Sequence, residues 1–363
     1  MTTRPRLPPL ADTLGFMLPD AQDTLLLRAC LGDGAIAARA WQAWLAPIPD
    51  LPTVLVERPR TRRFLPLLSH ALCSQSITVT EPALSILRAA TLWEERRAVQ
   101  LRPILTQVLA TLRETGADVL LLKGVALAET VYPQFRLRHC HDLDLLVEPE
   151  ALPAAREALL ATGFQRMAVA GQVRDGPTLA LQHEGGLPVN LHTTLWSSQA
   201  PDRLLADLQR RATTIAIDSQ SARILAPMDM LLHICGHAGI GAGPGNWTWI
   251  VDAAMILRRH AASVEDWARL VSNAAESDLA VALAVRFSSL AERFELPIPA
   301  TVLNRLVETA WRSPSGEKDA AISTARAASG VPLIAMVRRS GWRSRIEIAR
   351  WALRRSGRLV RAR

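Results

Sequence analysis

Asp142 and Asp144 stand two apart in the run DLDLLV, whose other members are leucine and valine. Side chains two apart on a strand point to the same face. Both carboxylates therefore project together, while Leu143, Leu145 and Val147 take the opposite face and suit a core. Two like charges side by side repel unless something positive lies between them, and a divalent cation held by oxygen ligands is the usual answer. Upstream, Asp118–Leu122 reads as a short apolar strand that runs into Lys123-Gly124 and a helix. A glycine at a helix start lets backbone N–H groups approach a phosphate. Residues 121–147 thus read as strand, glycine turn, helix, loop and strand, with a cation site and a phosphate site on neighbouring elements.

Other residues of this stretch refine the picture. The chain has forty arginines and only two lysines, Lys123 and Lys318, so one lysine stands beside the turn glycine. Chance accounts for that as readily as function; the functional reading is a compact point charge for a phosphate oxygen. His139, Cys140 and His141 suggest zinc, but alternation sends Cys140 to the face opposite both histidines. Arg138 is the better candidate, able to bind a triphosphate or steady Asp142, with Arg136 a solvated loop arginine. Tyr132 packs.

The rest of the chain frames this unit. Residues 1–110 read as helical. Ala21–Ala46 is broken at Gly32-Asp33-Gly34, and Phe64–Cys73 and Glu81–Leu112 keep helical spacing. Pro47–Arg63 is proline- and charge-rich and reads as loop with a short strand at Thr53–Val56. Glu94, Glu95, Arg96 and Arg97 suit a solvated helix face, and Trp41, Trp44 and Trp93 suit core or domain contacts. Residues 111–200 form the α/β core. There, Glu148–Thr162 is a helix ended by Gly163, Phe164–Ala170 is a strand, and Thr178–Glu184 with Pro188–Thr193 is a hairpin across Gly185-Gly186. In its last strand Asn190 and His192 share the face that Val189 and Leu191 do not. Residues 201–337 read as helical again. His233 and His237 suit packing, since no third ligand accompanies them. Gly239, Gly241, Gly243 and Gly245 make a flexible loop that is no P-loop. Asn246 suits a cap for the helix that follows, and Asp252 either faces the cleft or pairs with Arg258 or Arg259. The fold class is therefore α+β: a small mixed sheet with flanking helices between mainly helical regions.

Charge belongs to the end of the chain. Residues 338–363 carry ten arginines against Glu347 alone, which exceeds the whole chain's net +8 and leaves the remainder near neutral. Trp342, Ile346, Ala349 and Leu353 make one apolar helical stripe among those arginines. That stripe either packs on the body or meets an anionic membrane surface or an acidic protein partner. Nucleic acid is the least favoured partner, because one short helix supplies only salt-sensitive phosphate contacts. No apolar run approaches the roughly 18 residues of a membrane span. The first residues, MTTRPRLPPLADTLGF, lack the apolar run of a signal peptide. Four widely spaced cysteines without a C-x-x-C fit reduced thiols. The expectation is a cytoplasmic protein, peripheral to a membrane if the tail binds one.

LLKG, then an arginine, then DLDLLV resembles the core motif of the uncharacterised nucleotidyltransferase family, a branch of the DNA-polymerase-beta-like nucleotidyltransferase superfamily. The resemblance runs from about Leu25 to about Arg259 and takes in FLPLLSHAL, HICGHA and WTWIVDAAMIL. It implies Mg²⁺ (or Mn²⁺) on Asp142 and Asp144, and a nucleoside triphosphate donor, ATP by preference. Lys123, Gly124, Arg138, Asn190 and His192 would lie around that nucleotide, and Lys123 and Arg138 would join the aspartates in catalysis. It also implies transfer of a nucleotidyl (or phosphoryl) group to a hydroxyl acceptor, such as a peptide natural product or a polysaccharide precursor from a biosynthetic gene cluster. Two departures stand out. The superfamily's third carboxylate falls at Asn190, with His192 or Glu184 as substitutes, and Val125 replaces the usual hydroxyl residue after the glycine. The alternative is a catalytically weakened nucleotide-binding or scaffold protein on the same fold.

Overall fold

A computed structural model describes residues 18–167, 178–196, 201–237 and 246–312. The basic tail and the 239–245 glycine loop lie outside these residues. The chain divides into two units: 21–195 with 205–230, and 1–20 with 196–204 and 231–363.

The first unit opens with helices α1 (Ala21–Leu31) and α2 (Ala35–Leu45), separated at Gly34, whose φ of +46° an L side chain rarely adopts. Trp41 and Trp44 stack at 5.6 Å and are buried, as expected of core residues. The expected strand at Thr53–Val56 is instead helix α3 (Leu51–Glu57), followed by a 3₁₀ turn, Pro59–Phe64. Asp50 caps α3 by accepting from the Thr53 amide at 3.1 Å, and a proline stands in its first turn. These start signals outweigh the β-branched residues that suggested a strand. α4 (Leu65–Ser74) and the 32-residue α5 (Ala83–Glu114) follow. At about 1.5 Å per residue α5 extends for roughly 48 Å.

The sheet has seven strands in the order β3-β4-β5-β2-β1-β7-β6. They are β1 (Val119–Leu122), β2 (Leu143–Val147), β3 (Gln165–Arg166), β4 (Thr178–Gln182), β5 (Pro188–His192), β6 (Thr213–Ile217) and β7 (Gln220–Ile224). Between them run α6 (Lys123–Thr130), α7 (Leu152–Ala161) and α8 (Asp202–Arg211). β2 is central, antiparallel to β1 and parallel to β5, and each of its residues is buried. The β4–β5 hairpin forms as its sequence predicts. The β6–β7 hairpin corrects the helical reading of residues 201–337: β7 lies parallel to β1 and widens the sheet. Its turn is Asp218-Ser219, with Asp218 at φ +50°. That is a weaker signal than the Asn-Gly or Asp-Gly that announces such turns.

The second unit is helical over its described residues. α9 (Pro227–His237) ends in it, and α10 (Thr248–Arg259), α11 (Val264–Glu276), α12 (Ala280–Phe294) and α13 (Ala300–Arg312) belong to it. Ser263 and Asp266 form a capping box on α11. Asn246 is not the cap of α10; its Oδ1 accepts from the Thr248 hydroxyl. Asp252 is buried, at 2 % exposed. His233 is buried and lies between the rings of Trp196 and His237, as a packing residue does. Arg286 is also buried; it donates to the Cys235 carbonyl and rests over the Trp249 ring, and burial pushes its pKa down to about 10. No described helix is long and apolar enough to cross a membrane.

Candidate active site

Asp144 sits mid-sheet, opposite Leu122 of β1 on one side and Asn190 of β5 on the other. The pairing brings in two further groups. Lys123 follows Leu122 directly, and its Nζ lies 3.3 Å from Asp144 Oδ2. His192 shares the face of Asn190, and its Nε2 lies 2.7 Å from Asp144 Oδ1. With Nε2–H donating to the carboxylate, His192 Nδ1 accepts from the Thr178 hydroxyl at 3.0 Å. The Asn190 amide nitrogen spans both acids, 3.2 Å from Asp144 Oδ1 and 3.5 Å from Asp142 Oδ2. The expected register of β5 is therefore the observed one. Glu184 lies exposed in the hairpin turn instead.

The left-handed residue at the β1–α6 turn is Lys123, with φ +45°, and not Gly124. A side chain costs roughly 1–2 kcal/mol in that conformation, so the turn holds Lys123 strained beside Asp144. Gly124 has a different use. A Cβ there would come within 3.7 Å of Arg138 Nη1 and 3.6 Å of Cys140 Sγ, so the loop before β2 passes close over the helix start. Arg138 donates to the His139 carbonyl. Cys140 is buried, and the His139 and His141 rings stack at 5.4 Å. His141 Nε2 comes within 3.8 Å of Asp142 Oδ2. The seven residues singled out from sequence thus meet at one end of β1, β2 and β5.

The electrostatics follow from crowding. Burial, and then the Asp144 carboxylate, raise the Asp142 carboxyl above its ordinary value, against the pull of His141, Lys123 and Arg138. Burial lowers the His141 imidazole, an effect that Asp142 opposes and Arg63 reinforces. Burial also lowers the Arg63 guanidinium, and the neighbouring Arg60, Arg138 and Arg97 push the same way. The Asp142 carboxylate opposes that lowering, so Arg63 and Asp142 act on each other.

Arg60 and Arg63 stand in the 3₁₀ turn where the sequence suggested a loop, and Glu94 is buried within a helix face whose arginines stay at least partly exposed. Glu94 is 8 % exposed and bonds His139 Nδ1 at 2.7 Å, with Arg97 paired to its other oxygen at 3.3 Å. Glu95 holds Arg136 at 2.6 Å, so Arg136 is not merely solvated. Trp93, expected in a core, is 66 % exposed. A cavity of about 490 Å³ is bordered by Arg62, Arg63, Trp93, Glu94, Arg97 and His139. The visible signal was the run ERPRTRRF at 57–64, which places four arginines in eight residues.

Among the described residues no group of three or more His, Cys, Asp and Glu is placed to hold a metal. Asp142 and Asp144 nevertheless fit a hard divalent cation. They are oxygen donors converging on one point, and their mutual repulsion, seen in the raised Asp142 carboxyl, is what such an ion relieves. Turning the Asn190 amide over would present its oxygen as a third, neutral donor.

A search among curated proteins gives no match. Similar solved structures include two nucleotidyltransferase-type proteins. One is an antigenic nucleotidyltransferase-like protein from Paracoccidioides brasiliensis, at 18 % identity and TM-score 0.38, covering 56 % of this chain and 95 % of that one. The other is the antibiotic-resistance factor ANT(2'')-Ia, at 12 % identity and TM-score 0.37, covering 54 % of this chain and 98 % of that one. The model of a family described as uncharacterised nucleotidyltransferase matches residues 53–295, which include the cavity, the aspartates and the whole sheet. With that match over more than half its length, the chain belongs to the uncharacterised nucleotidyltransferase family.

Proposed function

We propose that this protein transfers a nucleotidyl group from a nucleoside triphosphate, ATP by preference, to the hydroxyl of a small acceptor. The observation that supports this is the meeting of Asp142, Asp144 and Asn190 beside the Lys123 turn, in a chain of this family. The donor's phosphates would lie over Lys123-Gly124, where the first amides of α6 and the Lys123 ammonium meet negative charge. Arg138, close above Gly124, would hold the phosphates from the other side. Asp142 and Asp144 would hold Mg²⁺ or Mn²⁺, which when bound neutralises charge on the phosphates. The acceptor oxygen bonds the α-phosphorus, the bond from that phosphorus to the bridging oxygen breaks, pyrophosphate leaves, and the hydroxyl proton passes to solvent. His192 and Asn190 keep Asp144 oriented through the hydrogen bonds that they donate.

Asn190 itself favours a second reading. It replaces a charge with an amide where both carboxylates converge, and a neutral donor binds a cation less tightly. A nucleotide-binding or scaffold protein with weakened chemistry is the result. One experiment separates the two: incubate the protein with Mg²⁺, each α-labelled nucleotide in turn and a lysate of its host, and look for a labelled acceptor. Label on an acceptor with wild type, but not with Asp142→Asn or Asp144→Asn, supports the transferase. Nucleotide binding without labelling supports the binding protein.

A further inference from the structure

The cavity beside the aspartates has no role in holding the donor as placed above. Its wall is basic. Arg62, Arg63 and Arg97 face it with Glu94 as the only carboxylate in its lining, and that carboxylate is already engaged by Arg97 and His139. Neither Arg62 nor Arg63 makes a salt bridge to another described residue. A guanidinium outside any salt bridge presents a planar fork suited to phosphate or carboxylate, although the Asp142 carboxylate also acts on Arg63. Apolar material completes the lining, with Leu65 and Ile86 on the wall and Trp93 largely exposed to solvent at its rim. An exposed indole beside arginines is a platform for a flat or apolar body. The volume of about 490 Å³ lies in the range of small-molecule sites, not of macromolecular grooves.

The cavity also has an address. His139 lines it, His139 stacks on His141, and His141 reaches Asp142. A molecule held by Arg62 and Arg63 therefore lies next to the reacting end of the site.

We infer that this cavity is the acceptor pocket, and that the acceptor is a small molecule with a phosphate or carboxylate group on a flat or apolar body. The anionic group sits between Arg62 and Arg63, the body lies against Trp93, and the hydroxyl to be modified points past His139 toward Asp142. The inference rests on the transferase reading for the word acceptor; the anion pocket itself does not depend on it.

The test uses the full-length protein and phenyl phosphate as probe, with benzyl alcohol as the neutral control, followed by calorimetry. Wild type is expected to bind phenyl phosphate and not benzyl alcohol. Arg62→Gln with Arg63→Gln is expected to weaken binding at least tenfold, and Trp93→Ala several-fold. Arg62 and Trp93 are exposed, so Arg62→Gln and Trp93→Ala serve as further single variants that keep the fold. Saturating MgATP is expected to leave phenyl phosphate bound. The inference is overturned if wild type ignores phenyl phosphate, if none of the substitutions changes its affinity, or if MgATP displaces it, since the arginines would then hold the donor. A protein that binds phenyl phosphate through Arg62 and Arg63 yet never binds MgATP keeps the anion pocket and refutes the transferase reading.

Discussion

Asn190 lies directly across the parallel β2–β5 ladder from Asp144, with its amide nitrogen within hydrogen-bond reach of both the Asp142 and the Asp144 carboxylates. In this position the side chain donates where a carboxylate would repel. It therefore stabilises the paired acids without a cation and adds no charge to one. Asn190→Asp should reverse both effects: Mg²⁺ affinity rises on the order of tenfold, as added ligand charge tightens oxygen sites, and the metal-free protein loses stability. Calorimetric Mg²⁺ titration with melting curves checks this. A variant that binds Mg²⁺ no better than wild type would place the cation away from Asn190.

Glu94 joins the long helix α5 to the loop that precedes β2. Its bond to His139 Nδ1 is partly buried, and Arg97 completes the pair. Glu94→Ala leaves a partly buried imidazole nitrogen and an arginine without their acceptor, at a cost of about 1–3 kcal/mol. Glu94→Gln, which keeps an acceptor oxygen, should lose less. Because the loop carries Arg138 and Asp142, MgATP affinity should fall in step with melting temperature across the two variants. Wild-type nucleotide affinity in a destabilised Glu94→Ala protein would show that the loop holds itself.

Asp142 sets a pH dependence. Burial and the Asp144 charge raise its carboxyl above the ordinary 3.8 in the folded protein. The native state then binds a proton more readily than the unfolded chain does. Stability therefore falls as pH rises through the window between the ordinary and the raised value, and stays lower above it. Asp142→Asn removes the charge, so the variant should melt above wild type at neutral pH. The gap should close as pH falls below the window, where Asp142 is protonated in both states. Melting curves at a series of pH values, without divalent cation, test the sign. A variant less stable than wild type at neutral pH would mean that His141 and Lys123 outweigh the repulsion.

The aspartate pair and its partners were legible because the signal was local. Strand alternation alone places Asp142 with Asp144 and Asn190 with His192, and the third-carboxylate position implied by the family resemblance, not any turn, set the two pairs side by side. The cavity was not legible for the opposite reason. Arg62, Trp93 and His139 come from three elements far apart in sequence, and alone they read as a loop arginine, a core or domain contact and part of a tempting zinc triplet. The β6–β7 hairpin was hidden by its Asp218-Ser219 turn. Helix α3 was hidden by Thr53, Val54 and Val56, whose strand preference is weak next to the Asp50 cap. Sequence also misplaced the strain, because the pattern Lys-Gly suggested that glycine would take the unusual conformation.

Lys123 gives the sharpest separation of fold from function. Its backbone occupies the left-handed region and its ammonium lies 3.3 Å from Asp144. Lys123→Gly relieves the backbone strain, worth roughly 1–2 kcal/mol, and at the same time removes a half-buried ion-pair partner. These effects oppose each other, so stability should change by no more than about 1 kcal/mol. A donor whose phosphates lie over this turn, as proposed, would lose the Lys123 ammonium, and MgATP affinity should drop at least tenfold. Lys123→Ala keeps the strain and loses the charge, so it should bind MgATP as poorly as Lys123→Gly and melt lower. Comparing the pair by thermal melting and nucleotide titration isolates the two contributions. If Lys123→Gly retains MgATP affinity, the donor does not lie over this turn; if the two variants melt alike, the left-handed backbone stores no strain.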